Sequence, residues 1–163
     1  MRHIISVLLE NESGALSRVA GLFSARGYNI ESLTVAPTHD STLSRMTIVT
    51  HGDERRIDQI EKHLFKLVDV AALQDITINR HLEREVILVK VNVEPAQKDD
   101  LTRAVEVFNA ILIDVADNHF VVELSGSSEK NDELIKALSH FEIIETARSG
   151  VTGVAFAEHS LKV

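Results

Sequence analysis

HIISVLLENESGALSRVAGLFSARGYNIESLTVA, residues 3–36, reads as a strand, a helix and a second strand. Residues 3–10 are apolar on both faces except at Ser6 and the flanks, the pattern of a strand covered from both sides. Asn11, Glu12, Ser13 and Gly14 make the turn. From it Leu16, Val19, Ala20 and Phe23 recur at the i, i+3, i+4, i+7 spacing of one helix face. Ser13 is placed to cap the first free amides, and Gly27 to end the helix in the left-handed conformation. Tyr28 and Asn29 then lead into a strand over residues 30–36, closed by Pro37.

Outward from this block the polar loop PTHDSTL, residues 37–43, joins a third strand near residues 44–50. Gly52 and Asp53 start a helix with apolar positions Ile57, Ile60, Leu64 and Leu67, and a fourth strand follows around residues 70–78. The order then repeats. Residues 85–93 form a strand with Ile87, Val89, Val91 and Val93 on one face, and Pro95 breaks it. Leu101, Ala104, Val105 and Phe108 make a helical stripe, and residues 111–115 and 119–124 a hairpin around Asp117 and Asn118. Gly126 precedes a helix carrying Leu134, Ile135, Leu138 and Phe141, and residues 143–147 are the last strand.

The expectation is therefore an α+β chain of two consecutive ferredoxin-like βαββαβ units, each a four-stranded antiparallel sheet with two helices on one face. Residues 1–78 form the first domain, 79–83 a linker and 84–163 the second. This fold leaves one sheet face uncovered, and several strands are apolar on both faces. The open face or an edge is expected to pack against a partner. The long loop 37–43 has no counterpart in the second unit.

Composition narrows the function. Seventeen Lys and Arg against 25 Asp and Glu give a net charge of −8, which argues against a broad phosphate-binding surface. The absence of cysteine excludes disulfides, thiolate catalysis and cysteine-built zinc sites. No stretch approaches the roughly 20 apolar residues of a membrane span, and MRHIISVLLENES reads as a strand rather than a secretory signal. A cytoplasmic protein is expected.

Motifs for chemistry are missing. None of the eight histidines forms an HxxxH or HExxH pair, and His39 with Asp40 reads as solvated loop. No nucleophile elbow, dinucleotide fingerprint or Walker loop occurs. Asp99 and Asp100 lie at a helix start, where the dipole accounts for them. The strands IISVLLE and RMTIVTH carry no aromatic platform for RNA bases. What remains is Asn11-Glu12-Ser13-Gly14, which offers a side-chain amide, a helix N-terminus and a glycine allowing close approach. Two readings stay open: a plain helix cap, or a seat for a small ligand with a carboxylate. Asn29 is either a turn residue or directs its amide to the same ligand across an interface.

The ordered block ENESGALSRVAGLFSARGYNIESL, with KLVDV, REVILVKV and ARSG further on, closely resembles the regulatory (small) subunit of acetolactate synthase in its short bacterial form. The resemblance implies an N-terminal ACT domain that senses an amino acid, and a homodimer formed through those domains. It implies valine bound between them at Asn11, Glu12, Ser13, Gly14, Asn29 and Ile30. It also implies a separate catalytic subunit using thiamine diphosphate, Mg2+ and FAD, which condenses two pyruvates to 2-acetolactate and CO2, or pyruvate and 2-oxobutyrate to 2-aceto-2-hydroxybutyrate. In that family the small subunit raises activity and confers feedback inhibition, with no catalytic residue, metal or cofactor of its own. AALQD after VDV, NHFVVELSGSSEK and the tail VAFAEHSLKV depart more from the family pattern than the ACT block does. Rival classes are a stand-alone ACT sensor for another partner and a metal-dependent enzyme on a duplicated ferredoxin-like fold.

Overall fold

β1 (Arg2–Glu10) is central in the first sheet, as its two apolar faces require. It pairs antiparallel with β3 (Leu43–His51) from Arg2 opposite His51 to Glu10 opposite Leu43. Its other edge carries β4 (Val70–Asp75), and β2 (Ser32–Pro37) lies beyond β3, giving the order β2-β3-β1-β4. This is a computed structural model that describes residues 1–156 and 160–162; the rest of the tail, His159 included, lies outside the described residues. The period of two sends Ile5, Val7 and Leu9 to one face, where Met46 and Ile48 of β3 join them. Helices α1 (Ala15–Ala25) and α2 (Glu54–Leu64) close that core with Val19, Phe23, Ile57, Ile60 and Leu64. The buried pair His3 Nδ1 and Asp75 Oδ2, 2.7 Å apart, ties β1 to the end of β4.

Two local expectations are corrected. Ser13 does not cap α1: Gly14 occupies the N-cap position at φ 89°, and no side chain bonds the first turn. A capping side chain must stand on the N-cap residue itself in extended backbone, and Ser13 comes one residue too early. The buried stripe of α1 is Ala15, Val19 and Phe23, whereas Leu16 is 41 % exposed and Ala20 faces solvent. Gly27 ends the helix at φ 64°, as its position implied. Asp53 caps α2, its Oδ1 accepting from the Arg56 N–H at 2.8 Å.

The chain divides into two units, Met1–Glu83 with the residues from Val151 onward, and Arg84–Gly150. This differs from a linker at 79–83 followed by one domain over 84–163. His81 already belongs to β5 (His81–Asn92), and the segment after Gly150 packs with the first unit. There the Val151 N–H donates to Ser32 Oγ at 2.9 Å, Thr34 Oγ1 donates to Val151 O at 2.9 Å, and Arg45 donates to Gly153 O at 3.2 Å. Val151 completes a small core with Ile4, Val49 and Ile76 on the face away from the helices. The short strand β9 (Thr152–Ala155) pairs with β5, and the Phe156 N–H donates to Arg80 O at 3.0 Å. The helix-free face of the first sheet is thus met by the chain's own C-terminal segment rather than left bare for a partner.

In the second unit the order is β6-β7-β5-β8, from β6 (Ile111–Ala116), β7 (His119–Gly126) and β8 (Glu142–Arg148). Ile87, Val89 and Val91 of β5 face α3 (Lys98–Phe108) and α4 (Ser128–Leu138), with Leu101, Leu134 and Leu138 buried among them. Asp117 at φ 47° makes the hairpin turn. A polar clamp joins β5, α4 and β8. Glu85 accepts from Arg148 Nε at 3.0 Å and Nη2 at 2.6 Å, and Asn131 Nδ2 donates to Glu85 O at 3.1 Å. Burial pushes the Glu85 carboxyl up, but hydrogen bonds from Arg148 and Asn131 outweigh it and leave the group below the usual carboxylate range.

Candidate effector-binding site

At the end of β1 the Glu10 N–H donates to Asp69 O at 2.8 Å, so the chain leaves the sheet anchored to the segment before β4. Asn11 is then fixed three times. Its N–H donates to Thr42 O at 2.7 Å, its Nδ2 to Ser41 O at 3.0 Å, and its Oδ1 accepts from Ser44 Oγ at 3.0 Å. A carbonyl accepts and never donates, so Ser41 O sets which way the amide points. One N–H and one lone pair of the Asn11 amide remain for a ligand.

The turn into α1 depends on Gly14. Its positive φ suits glycine, and a Cβ there would stand 3.0 Å from Arg18 Nη1. Arg18 is held in place by Asp69, through Nε to Oδ2 at 2.5 Å and Nη2 to Oδ1 at 2.6 Å. The Arg18 hydrogen bonds keep the Asp69 carboxyl below the usual range. The first turn of α1 has no acidic residue. Its amides, which lack partners inside the helix, therefore meet no side-chain anion of their own turn.

Beside this turn lies a cleft of about 250 Å3. Leu9, Glu10, Asn11 and Glu12 form one wall, Ala15 and Leu16 the second, and Val35, Ala36, Pro37 and Ser44 the third. Leu16 is exposed because its side chain lines this cleft rather than the core. Of the six expected site residues, Asn11 and Glu12 line the cleft, and Ser13 and Gly14 adjoin it in the turn. Asn29 and Ile30 do not reach it within one chain. They precede β2, whereas the cleft lies at the Pro37 end, about 20 Å away at the rise of an extended strand. Asn29 is exposed and its carbonyl accepts from Thr50 Oγ1 at 2.6 Å, while Ile30 packs against the core.

Sequence reading missed Ser44, Leu16 and residues 35–37 as cleft walls. A signal existed for Ser44 alone, a polar residue opposite Leu9 at the end of the strand face that also carries Met46 and Ile48. Among the described residues no group of three or more His, Asp or Glu could hold a metal ion. No helix among them is long and apolar enough to cross a membrane.

The ferredoxin-like unit that carries this turn is an ACT domain: residues 5–72 match the AHAS small subunit-like ACT domain. Residues 84–156 match the small subunit of acetolactate synthase, and the chain belongs to that family. It is 54 % identical over 156 residues to the acetolactate synthase isozyme 3 small subunit of Escherichia coli, covering 95 % of this chain and 96 % of that one. The probable acetolactate synthase small subunit of Archaeoglobus fulgidus is 41 % identical over 92 % of this chain and 94 % of its own. The crystal structure of the small subunit from Thermotoga maritima superposes with a TM-score of 0.88 at 34 % identity, covering 96 % of this chain and 98 % of that one.

Proposed function

We propose that this chain is the feedback-sensing regulatory subunit of a cytoplasmic acetolactate synthase, and that valine bound at the α1 turn carries the signal. The observation behind this reading is the immobilised Asn11 amide, set beside an acid-free helix start and an apolar cleft. The valine carboxylate meets the helix amides, which carry partial positive charge. The Asn11 amide oxygen and the nearby Glu12 take the ammonium group, and Leu16, Val35 and Pro37 enclose the isopropyl group. A hydrophobic wall of this kind separates valine from leucine by one methylene, about 1–3 kcal/mol.

Asn29 and Ile30 complete the site from a second chain. β2 is an edge strand. When two such edges pair antiparallel about a two-fold axis, the start of one β2 lies against the Pro37 end of the other. Asn29 of one copy then adjoins the Asn11 turn of its partner, which makes the ACT dimer and the binding site one construction. The catalytic subunit supplies thiamine diphosphate, Mg2+ and FAD, and its carboligation is the step raised by this chain and restrained by valine.

The test uses the purified chain with and without an acetolactate synthase catalytic subunit. The chain alone is expected to form no acetolactate from pyruvate; added to the catalytic subunit, it raises turnover and makes it valine-sensitive. Acetolactate formed by the chain alone, or a catalytic subunit indifferent to it, overturns the reading.

A further inference from the structure

The two faces of β2 meet different things. Leu33 packs against the core under the helices and Val35 and Pro37 wall the cleft, while the period of two turns Ser32 and Thr34 to the opposite face. There Ser32 Oγ accepts from the Val151 N–H at 2.9 Å, and Thr34 Oγ1 donates to Val151 O at 2.9 Å. One residue of the C-terminal segment is thus bonded through both of its backbone groups to the strand that borders the cleft.

Val151 opens a two-stranded ribbon. β9 pairs with β5, and just beyond it the Phe156 N–H donates to Arg80 O at 3.0 Å. Gly153 lets the ribbon lie close, for a Cβ there would stand 2.7 Å from Ile76 Cδ1. Arg2 fastens the other strand to β1, its Nη2 donating to Glu83 Oε2 at 2.7 Å. The chain passes into the second unit at Arg84 and returns after Gly150, so both covalent links to that unit leave from this ribbon. The seat also carries a cost. On the same sheet face Ser6 Oγ and Arg45 Nε are buried with no hydrogen-bond partner among the described residues. Burial pulls the Arg45 guanidinium below its ordinary range. A few hydrogen bonds set against unmatched buried groups leave a contact that a small change at β2 can tip.

We propose that this ribbon, seated on β2 through Ser32 and Thr34, carries occupancy of the effector cleft to the second unit. The proposal rests on the valine reading above. A ligand drawn against Val35 and Pro37 shifts β2, and the bonds to Val151 change with it. Ser32 is a positioning residue: it acts through Val151 and does not wall the cleft.

The test uses the full chain with and without its catalytic subunit. Ser32→Ala removes the acceptor for the Val151 N–H, Gly153→Ala wedges the ribbon away from Ile76, and Ser32→Thr keeps a hydroxyl. Ser32→Ala and Gly153→Ala are expected to bind valine with wild-type affinity by calorimetry and to raise turnover as wild type does. Activity remaining at saturating valine should rise about fivefold in both, and stay at the wild-type level in Ser32→Thr. Amide exchange across residues 151–156 should change when valine is added to the wild-type chain. Full inhibition in Ser32→Ala, or exchange that valine leaves unaltered, overturns the ribbon's role and leaves the valine reading standing. Inhibition lost only in step with valine affinity does the same, since Ser32 would then belong to the site. A wild-type enzyme that valine does not inhibit overturns both. If Gly153→Ala does not fold, Ser32→Ala and the exchange measurement decide.

Discussion

At Gly14 one residue decides both the backbone and the chemistry of the turn. Its φ of 89° strains any other residue, and a Cβ there presses on Arg18 Nη1 at 3.0 Å. Gly14→Asp adds to that strain a carboxylate where the ligand's own should meet the helix amides, and this new anion competes with Asp69 for Arg18. Valine binding is expected to be lost. Gly14→Ala carries the strain without the charge and should weaken binding less. Asn29→Ala removes an exposed amide without strain and should weaken valine by about 1–3 kcal/mol if that amide bonds the ligand in the dimer. Calorimetric titration of valine into each folded variant measures this. Unchanged affinity in Gly14→Asp and Asn29→Ala alike would reduce the turn to a helix start and place the effector elsewhere.

Elements were legible where the signal was local, and obscure where it was not. The strand–helix–strand reading of residues 3–36 held because apolar period and turn residues agree there, and Gly27 does end α1 at positive φ. Leu16 looked like core because helical spacing does not reveal which flank of an apolar stripe borders a cleft. β9 went unseen since TGVA is short, and its burial depends on Ile4 and Ile76, far away in sequence. The clamp among β5, α4 and β8 was equally hidden, being assembled from Glu85, Asn131 and Arg148. It makes a prediction in acid. The folded Glu85 carboxyl titrates below its ordinary range, so its stabilisation is complete above the unfolded value near ~4.3 and is lost as pH falls through the lowered folded value. Glu85→Gln should cost about 1–3 kcal/mol at neutral pH, discounted because Arg148 is about one-third exposed. Thermal unfolding should show the gap to wild type closing as pH falls below the unfolded value and through the lowered folded one. A gap constant over that range would mean that the clamp's charge contributes nothing.

For the whole molecule the decisive question is whether one effector site belongs to one chain or to two. The Asn11 turn and Asn29 lie at opposite ends of β2, so a site using both is built by two copies, and this has a consequence that no single-chain site shares. In a homodimer of Gly14→Asp each site has a damaged turn; in a homodimer of Asn29→Ala each lacks its amide. A mixed dimer concentrates both lesions in one site and leaves the other with a native turn facing a native Asn29. Equal mixing with free exchange makes about half of the dimers mixed, so about a quarter of all sites should regain native affinity. Titration with valine should reveal this high-affinity fraction only after exchange, and at the concentration where wild type binds. Its appearance should also shift mixed dimers toward association, because a ligand bridging the interface stabilises the assembled state by mass action. If the mixture instead binds as the plain average of its two components, each chain carries its own complete site, and the antiparallel pairing of β2 edges is wrong.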